Sequence, residues 1–140
     1  MINPSIIKER LQEIDENLKI LAELKKLNKE KFAGNPKIFK LAERCLEINI
    51  QALLDVCHHI IAANNLTRPR DNKHALEIIA AQKIISHNFA KRIEPMVGLR
   101  NILVHEYAKI DPKRIYEHLK DIKDFRQFQK CIIKFIKKLP

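Results

Sequence analysis

The sequence predicts an all-α protein, and three observations point to that class. Apolar residues recur every three or four positions along almost the whole chain, which is the spacing of one helix face. No segment alternates apolar and polar residues over the length of a strand. Only two glycines occur in 140 residues, too few for the tight turns of a β-sandwich or barrel. We therefore expect one domain, residues 1–140, formed by about four long helices and one short helix.

The first two helices are defined by their apolar stripes and by the turn residues between them. Pro4 and Ser5 suit the start of the first helix, whose pattern ends near Gly34-Asn35-Pro36. Its stripe is Ile7, Leu11, Ile14, Leu18 and Leu21. The second helix is expected from about Pro36 to Asn64 and carries two apolar stripes. The first stripe is Leu41, Cys45, Ile48, Ala52 and Val56, and the second stripe is Leu46, Ile50, Leu53, Cys57 and Ile61. Two adjacent stripes predict a central, widely buried helix.

The second half of the chain is divided by a polar loop and two prolines. Residues 64–71 form the loop, and a third helix is expected over about Asn72–Arg92. Pro95 is expected to open a short fourth helix that reaches about His105. Asp111 before Pro112 predicts an N-cap followed by proline at the first helical position. The last helix then extends nearly to the end of the chain.

The amino-acid composition favours some classes of function and argues against others. The net charge is +10, from 27 Lys and Arg against 17 Asp and Glu, which is typical of a domain that meets a polyanion or an acidic partner. No glycine-rich phosphate loop of the dinucleotide or P-loop type occurs. The longest uncharged run, Val56–Thr67, is twelve residues, and a membrane helix needs about twenty. Neither a membrane span nor a signal peptide is therefore expected. Three cysteines without a C-x-x-C pair indicate reduced thiols and a cytoplasmic protein.

The most informative segment is Val97–Tyr107. It carries an Arg-x-x-x-x-His-x-Tyr pattern with asparagine after the arginine, formed by Arg100, Asn101, His105 and Tyr107. This pattern resembles the signature of HEPN-superfamily ribonucleases, and within them the HepT toxins of toxin–antitoxin pairs. The segment Glu43–Ile61 is similar to the second helix of that family, so the resemblance covers roughly residues 5–135. It implies a HEPN-type bundle in which the short fourth helix bears the motif.

The residue types of the motif suit cleavage of RNA without a metal or cofactor. The ribose 2′-OH must lose a proton, the leaving 5′-oxygen must gain one, and the charge on phosphorus must be stabilised. Histidine exchanges protons near neutral pH, so His105 is the candidate for proton transfer. Arginine is always charged and donates in a planar fork, so Arg100 is the candidate for the phosphate. Asn101 would orient the histidine or donate to phosphate. Attack by the 2′-OH would leave a 2′,3′-cyclic phosphate.

Helix geometry favours two copies of the motif. Five residues at 100° each would place Arg100 and His105 about 140° apart on one helix, whereas Asn101 and His105 would share a stripe. Two motif helices that face each other across a two-fold axis could combine the two groups in one cleft. The HepT resemblance implies this arrangement, a homodimer with a composite site.

The resemblance also implies how the protein is controlled. The partner would be an MNT nucleotidyltransferase antitoxin of a type II pair, which attaches adenylyl groups (AMPylation) to the residue corresponding to Tyr107. Anionic AMP beside a phosphate site would exclude RNA by its bulk and its charge.

Other residues carry weaker signals that leave alternatives open. Asp55, His58 and His59 have the spacing of ligands on one helix face, but no further ligand is identifiable. Asp55 or His58 facing the cleft or the dimer seam, or plain buried polar pairing, are the alternatives. The many lysines of the last helix would either track RNA phosphates or simply coat an amphipathic helix.

Two other functions fit the same sequence. One is a non-catalytic HEPN module that binds a nucleotidyltransferase partner, a nucleotide or RNA. The other is a general basic RNA-binding protein. A buried or salt-bridged Arg100 would favour the module over the enzyme.

Overall fold

The structure, a computed structural model, describes residues 1–105 and 109–140. Within these ranges the regular structure is helical and contains no strand, so the prediction of an all-α fold is confirmed. The helices are α1 Pro4–Lys25, α2 Lys29–Ala33, α3 Pro36–Ala63, α4 Asn72–Ala81, α5 His87–Leu103, α6 Pro112–Glu117 and α7 Ile122–Lys137. A 3₁₀ turn, His118–Asp121, connects α6 to α7.

Helix α3 lies at the centre of the bundle and contacts α1, α2, α4, α5, α6 and α7. Its second predicted stripe is fully buried, which confirms the central helix. In its first stripe, however, Leu41 is exposed and Ile48 is half-buried. By length and composition α3 could cross a membrane, but 61% of its apolar window is buried inside the protein. That burial is expected of a core helix.

Two side chains of α3 show how closely its surroundings exclude water. Burial raises the pKa of the Cys57 thiol to about 12, so this thiol stays protonated and packs as an apolar group. Asn49 is fully buried, and its amide donates to the Ile14 carbonyl at 3.3 Å and accepts from Asn17 at 3.2 Å. Because a buried amide without partners is costly, these bonds fix the register of α1 on α3.

The first predicted helix is two helices. Helix α1 ends at Lys25 and α2 begins at Lys29, whereas the apolar pattern suggested continuity to Gly34. The local cause is Asn28, whose side chain accepts a hydrogen bond from the Lys31 amide at 2.8 Å and caps α2.

The predicted boundary between the third and fourth helices is also wrong. Helix α4 ends at Ala81, and α5 begins at His87 and continues through Pro95 to Leu103. Ser86 caps α5 by accepting from the Phe89 amide at 3.0 Å. Pro95 is tolerated inside α5 because it lies on the exposed side of the helix. Arg100 and Asn101 of the motif therefore lie at the end of a long helix and not on a short one.

The last predicted helix is interrupted as well. Its predicted start is confirmed, since Asp111 caps α6 and Pro112 follows. Helix α6 ends at Glu117, and Tyr116 near its end contacts the segment that leads into α2. The Tyr116 hydroxyl donates to the Leu27 carbonyl at 2.8 Å, and its ring lies 5.2 Å from that of Phe32. The chain turns through the 3₁₀ segment before α7 begins.

Candidate active site

Arg100 lies near the C-terminal end of α5, where its half-buried side chain reaches α3. Its Nε donates a hydrogen bond to Gln51 Oε1 at 2.9 Å. Among the described residues, the two terminal nitrogens of this guanidinium have no hydrogen-bond partner, and no carboxylate forms an ion pair with it. The bond through Nε holds the plane of the group while the two-nitrogen fork stays available to an anion.

Gln51 connects Arg100 to a carboxylate. Its Nε2 donates to Asp55 Oδ1 at 2.8 Å, one helical turn further along α3. The other carboxylate oxygen, Asp55 Oδ2, lies 3.4 Å from Arg10 Nε on α1. Three helices therefore meet through one chain of polar contacts. Asp55 acts on Arg100 only through the Gln51 amide, which it orients with its oxygen toward the guanidinium.

The Arg100 side chain borders an open cleft of about 300 Å³ between α1, α3 and the end of α5. The cleft is lined by Glu13, Arg44, Glu47, Ile48, Gln51, Arg100 and Val104. Arg44 Nη1 lies 3.3 Å from Glu47 Oε1, and the Arg44 side chain is largely exposed. Arg100 is half-buried and has no ion pair among the described residues, so its fork faces this cleft, which we call the Arg100 cleft.

His105 does not line the Arg100 cleft of its own chain. Helix α5 ends at Leu103, so His105 lies two residues beyond it and is exposed, with its amide 3.3 Å from the Ile102 carbonyl. The expectations that His105 would share a helical stripe with Asn101 and lie about 140° from Arg100 on one helix are wrong, because the helix stops before His105. Asn101 is on the last turn of α5 and is exposed. Tyr107, the remaining motif residue, lies outside the described residues.

The two histidines of α3 hold neighbouring segments together. His58 Nε2 lies 3.1 Å from Asn72 Oδ1 at the start of α4, and His59 Nε2 accepts from the Asn3 amide at 3.0 Å. The contact of His58 with Asn72 is the polar pairing that was one of the alternatives for this residue. Asp55 instead contacts Gln51, behind the Arg100 cleft. In residues 1–105 and 109–140, no three His, Cys, Asp or Glu side chains are grouped to hold a metal.

Gln51 is the site residue that sequence reasoning missed. Glutamine carries no catalytic signature, and its partner Arg100 is 49 residues away. The available signal was its position four residues before Asp55, which places both side chains on one face of α3.

The fold and the arginine cleft define an all-α bundle of HEPN type. The chain belongs to the HepT-like ribonuclease family, because residues 7–132 match the family model described as "Ribonuclease HepT-like". It is 31% identical over 115 residues to "tRNA nuclease HepT" of Aphanizomenon flos-aquae, covering 82% of this chain and 78% of that one. It is 27% identical over 101 residues to "mRNA nuclease HepT" of Shewanella oneidensis, covering 71% of this chain and 73% of that one.

Solved structures agree on the fold. A tri-AMPylated Shewanella oneidensis HEPN toxin in complex with an MNT antitoxin superposes with a TM-score of 0.82 at 22% identity, covering 92% of this chain and 97% of that one. The Bacillus subtilis cytosolic protein YutE, of unknown function, superposes with a TM-score of 0.85 at 16% identity, covering 97% of this chain and 92% of that one.

The contact between Gln51 and Arg100 is testable by a double-mutant cycle. We expect Gln51→Ala and Arg100→Ala to show a coupling free energy of about 0.5–1.5 kcal/mol in urea unfolding at fixed protein concentration. The matched control is the exposed pair Gln12 and Glu16 on α1, 3.3 Å apart, for which we expect about 0.5 kcal/mol or less. Strictly additive effects at Gln51 and Arg100 would contradict the described geometry.

Proposed function

We propose that this protein is the endoribonuclease toxin of a type II toxin–antitoxin pair. The observation that carries the proposal is the Arg100 guanidinium, held through Nε with its fork open to a phosphate. The family membership and the relatives named as tRNA and mRNA nucleases support RNA as the substrate. Arg100 is half-buried and forms no ion pair among the described residues, which favours the enzyme over a non-catalytic HEPN module.

The proposed reaction is an internal transesterification that uses no metal. The Arg100 fork binds the scissile phosphate and stabilises the charge that develops on its oxygens. His105 moves protons between the ribose 2′-oxygen and the leaving 5′-oxygen, and its exposed position leaves its ring open to substrate. Asn101 contributes an amide to the phosphate or to the histidine. The 2′-oxygen displaces the 5′-oxygen on phosphorus, so the products are a 2′,3′-cyclic phosphate and a free 5′-hydroxyl.

A homodimer completes the site in this proposal. His105 is absent from the lining of the Arg100 cleft in one chain, which supports a site in which a second chain brings the two groups together. The exposed stripe of α5, which contains Pro95, Gly98 and Asn101, supports close contact with another molecule. A Cβ at Gly98 would meet nothing within 4 Å in this chain, although glycine inside a helix costs about 1 kcal/mol relative to alanine. Close approach of a second copy would account for that glycine.

The proposed partner is an MNT nucleotidyltransferase that neutralises the toxin by adenylylating Tyr107. The AMPylated HEPN toxin with its MNT antitoxin, which shares this fold, supports the type of control. Tyr107 lies two residues from His105 in the sequence, so an adenylyl group there would bring a phosphate to the site and repel RNA.

Loss of either catalytic group should abolish cleavage. We expect His105→Ala and Arg100→Ala each to reduce the rate on mixed RNA by about 100-fold or more, with no effect of EDTA on the wild type. Mass spectrometry of the products should find 2′,3′-cyclic phosphates.

The control variants are His74→Ala and Arg68→Ala, which remove the same residue types on and before α4. Arg68 is exposed, and His74 is half-buried with its Nδ1 accepting from the Arg70 amide at 3.0 Å. They should cleave at close to the wild-type rate. Cleavage that survives the loss of His105 or Arg100, or that stops in EDTA, would contradict the mechanism.

Adenylylation should be specific for one of the two tyrosines in the chain. With the partner and ATP, intact-mass spectrometry should detect one or more adenylyl groups on the wild type and none on Tyr107→Phe, which should remain an active nuclease. Tyr116→Phe is the matched control and should still be modified, because the Tyr116 hydroxyl is held against Leu27. Modification of Tyr107→Phe would show that the acceptor has been assigned to the wrong residue.

A further inference from the structure

A second groove lies at the opposite end of α5 from Arg100. It runs between the turn that joins α4 to α5 and the outer side of α7, with a volume of about 710 Å³. It is lined by Ala80–His87, Gln127, Cys131, Lys134, Phe135 and Lys138. His87 and Arg100 are separated by thirteen residues of helix, or roughly 20 Å along its axis. The groove therefore shares no residue with the Arg100 cleft.

The groove is positively charged without compensation. Lys83, Lys134 and Lys138 line it, His87 lies beside them, and no aspartate or glutamate is among the lining residues. All three lysines are exposed, and none forms an ion pair with another described residue. The Arg100 cleft differs, because two glutamates line it. A surface of this charge favours a polyanion.

Lys83 lies just after the end of α4 in a left-handed backbone conformation. Its φ of 61° lies in the left-handed region, where glycine or asparagine is usual after the end of a helix. Glycine would relieve this strain but would remove a cation from the middle of the groove. The Lys83 amide donates to the Ala80 carbonyl at 2.9 Å and the Ile84 amide to the Ile79 carbonyl at 3.3 Å, so the cap of α4 sets this backbone conformation, and the side chain at the cap position places a cation in the groove.

The lysines of α7 extend the groove in a regular row. Lys130, Lys134 and Lys138 are spaced four residues apart on one side of α7 and its cap, or about 6 Å between successive positions. That spacing is close to the separation of successive phosphates along a nucleic acid strand. A row of this kind suits an extended phosphodiester backbone better than a single small anion.

We infer that this groove binds the phosphate backbone of the substrate RNA at a distance from the point of cleavage. The inference rests on the proposed function and narrows its substrate class. An RNA that fills both sites must extend over roughly 20 Å or more, so the preferred substrate is a folded or long RNA and not a short oligonucleotide. Most of the salt-dependent affinity then arises in the groove, while the Arg100 cleft selects the scissile phosphate.

The test compares two triple variants of equal charge in a non-cleaving His105→Ala background. One carries Lys83→Gln, Lys134→Gln and Lys138→Gln. The control carries the same change at three exposed lysines on the α1, α2 and α3 side of the bundle, Lys25, Lys31 and Lys37. Binding of bulk tRNA and of a three-nucleotide RNA, which is too short to span the roughly 20 Å between the two sites, is measured by fluorescence anisotropy across a salt series.

We expect the groove variant to bind tRNA about 10- to 100-fold more weakly near 0.1 M salt, with the slope of log K against log salt reduced by about 2–3. The control variant should change that slope by less than about 1. On the three-nucleotide RNA the groove variant should lose no more affinity than the control. Equal tRNA affinities for the two triple variants would overturn the inference.

A cleavage assay separates this inference from the proposed function. If the protein with its native His105 cleaves RNA while the two triple variants bind tRNA alike, the groove assignment alone is wrong. If the native protein neither cleaves nor binds RNA, the proposed function fails and the groove assignment fails with it.

Discussion

The burial of α3 is the constraint on which the rest of the structure depends. This helix of 28 residues contacts six other helices, so its register fixes theirs. Gln51 and Asp55 are one turn apart on it, and they meet Arg10 of α1 and Arg100 of α5 because α1 and α5 both pack on α3. The orientation of the Arg100 guanidinium is therefore a consequence of core packing. The polar contacts on their own are partly exposed and contribute modestly to stability.

In the proposed function, the distribution of charge divides recognition of RNA into two tasks. The Arg100 cleft contains two glutamates beside its arginines, so its local field is weak and its selectivity depends on the geometry of one guanidinium. The groove beside α7 has lysines without acidic neighbours, so its attraction is strong and independent of sequence. On this account affinity and chemistry reside on different helices.

The sequence predicts well what depends on burial and poorly what depends on local caps or on distant contacts. The apolar stripes located α3 to within one residue, and the Arg-x-x-x-x-His-x-Tyr pattern led to the family. The break before α5 was misplaced because a serine cap such as Ser86 is a weaker sequence signal than the proline at position 95. His105 was assigned to a helix that ends two residues earlier. The groove joins residues 80–87 to residues 127–138, and no local pattern connects segments that far apart.

The composite site is the central claim, and a mixed dimer tests it most directly. Arg100→Ala and His105→Ala chains with different affinity tags are co-expressed, and the dimer that carries both tags is isolated. If each site takes Arg100 from one chain and His105 from the other, one of the two sites is intact and the mixed dimer should have about half the wild-type activity. Each parent homodimer should be inactive. A mixed dimer as inactive as its parents would contradict a site shared between chains, and failure to isolate a mixed dimer would contradict the dimer itself.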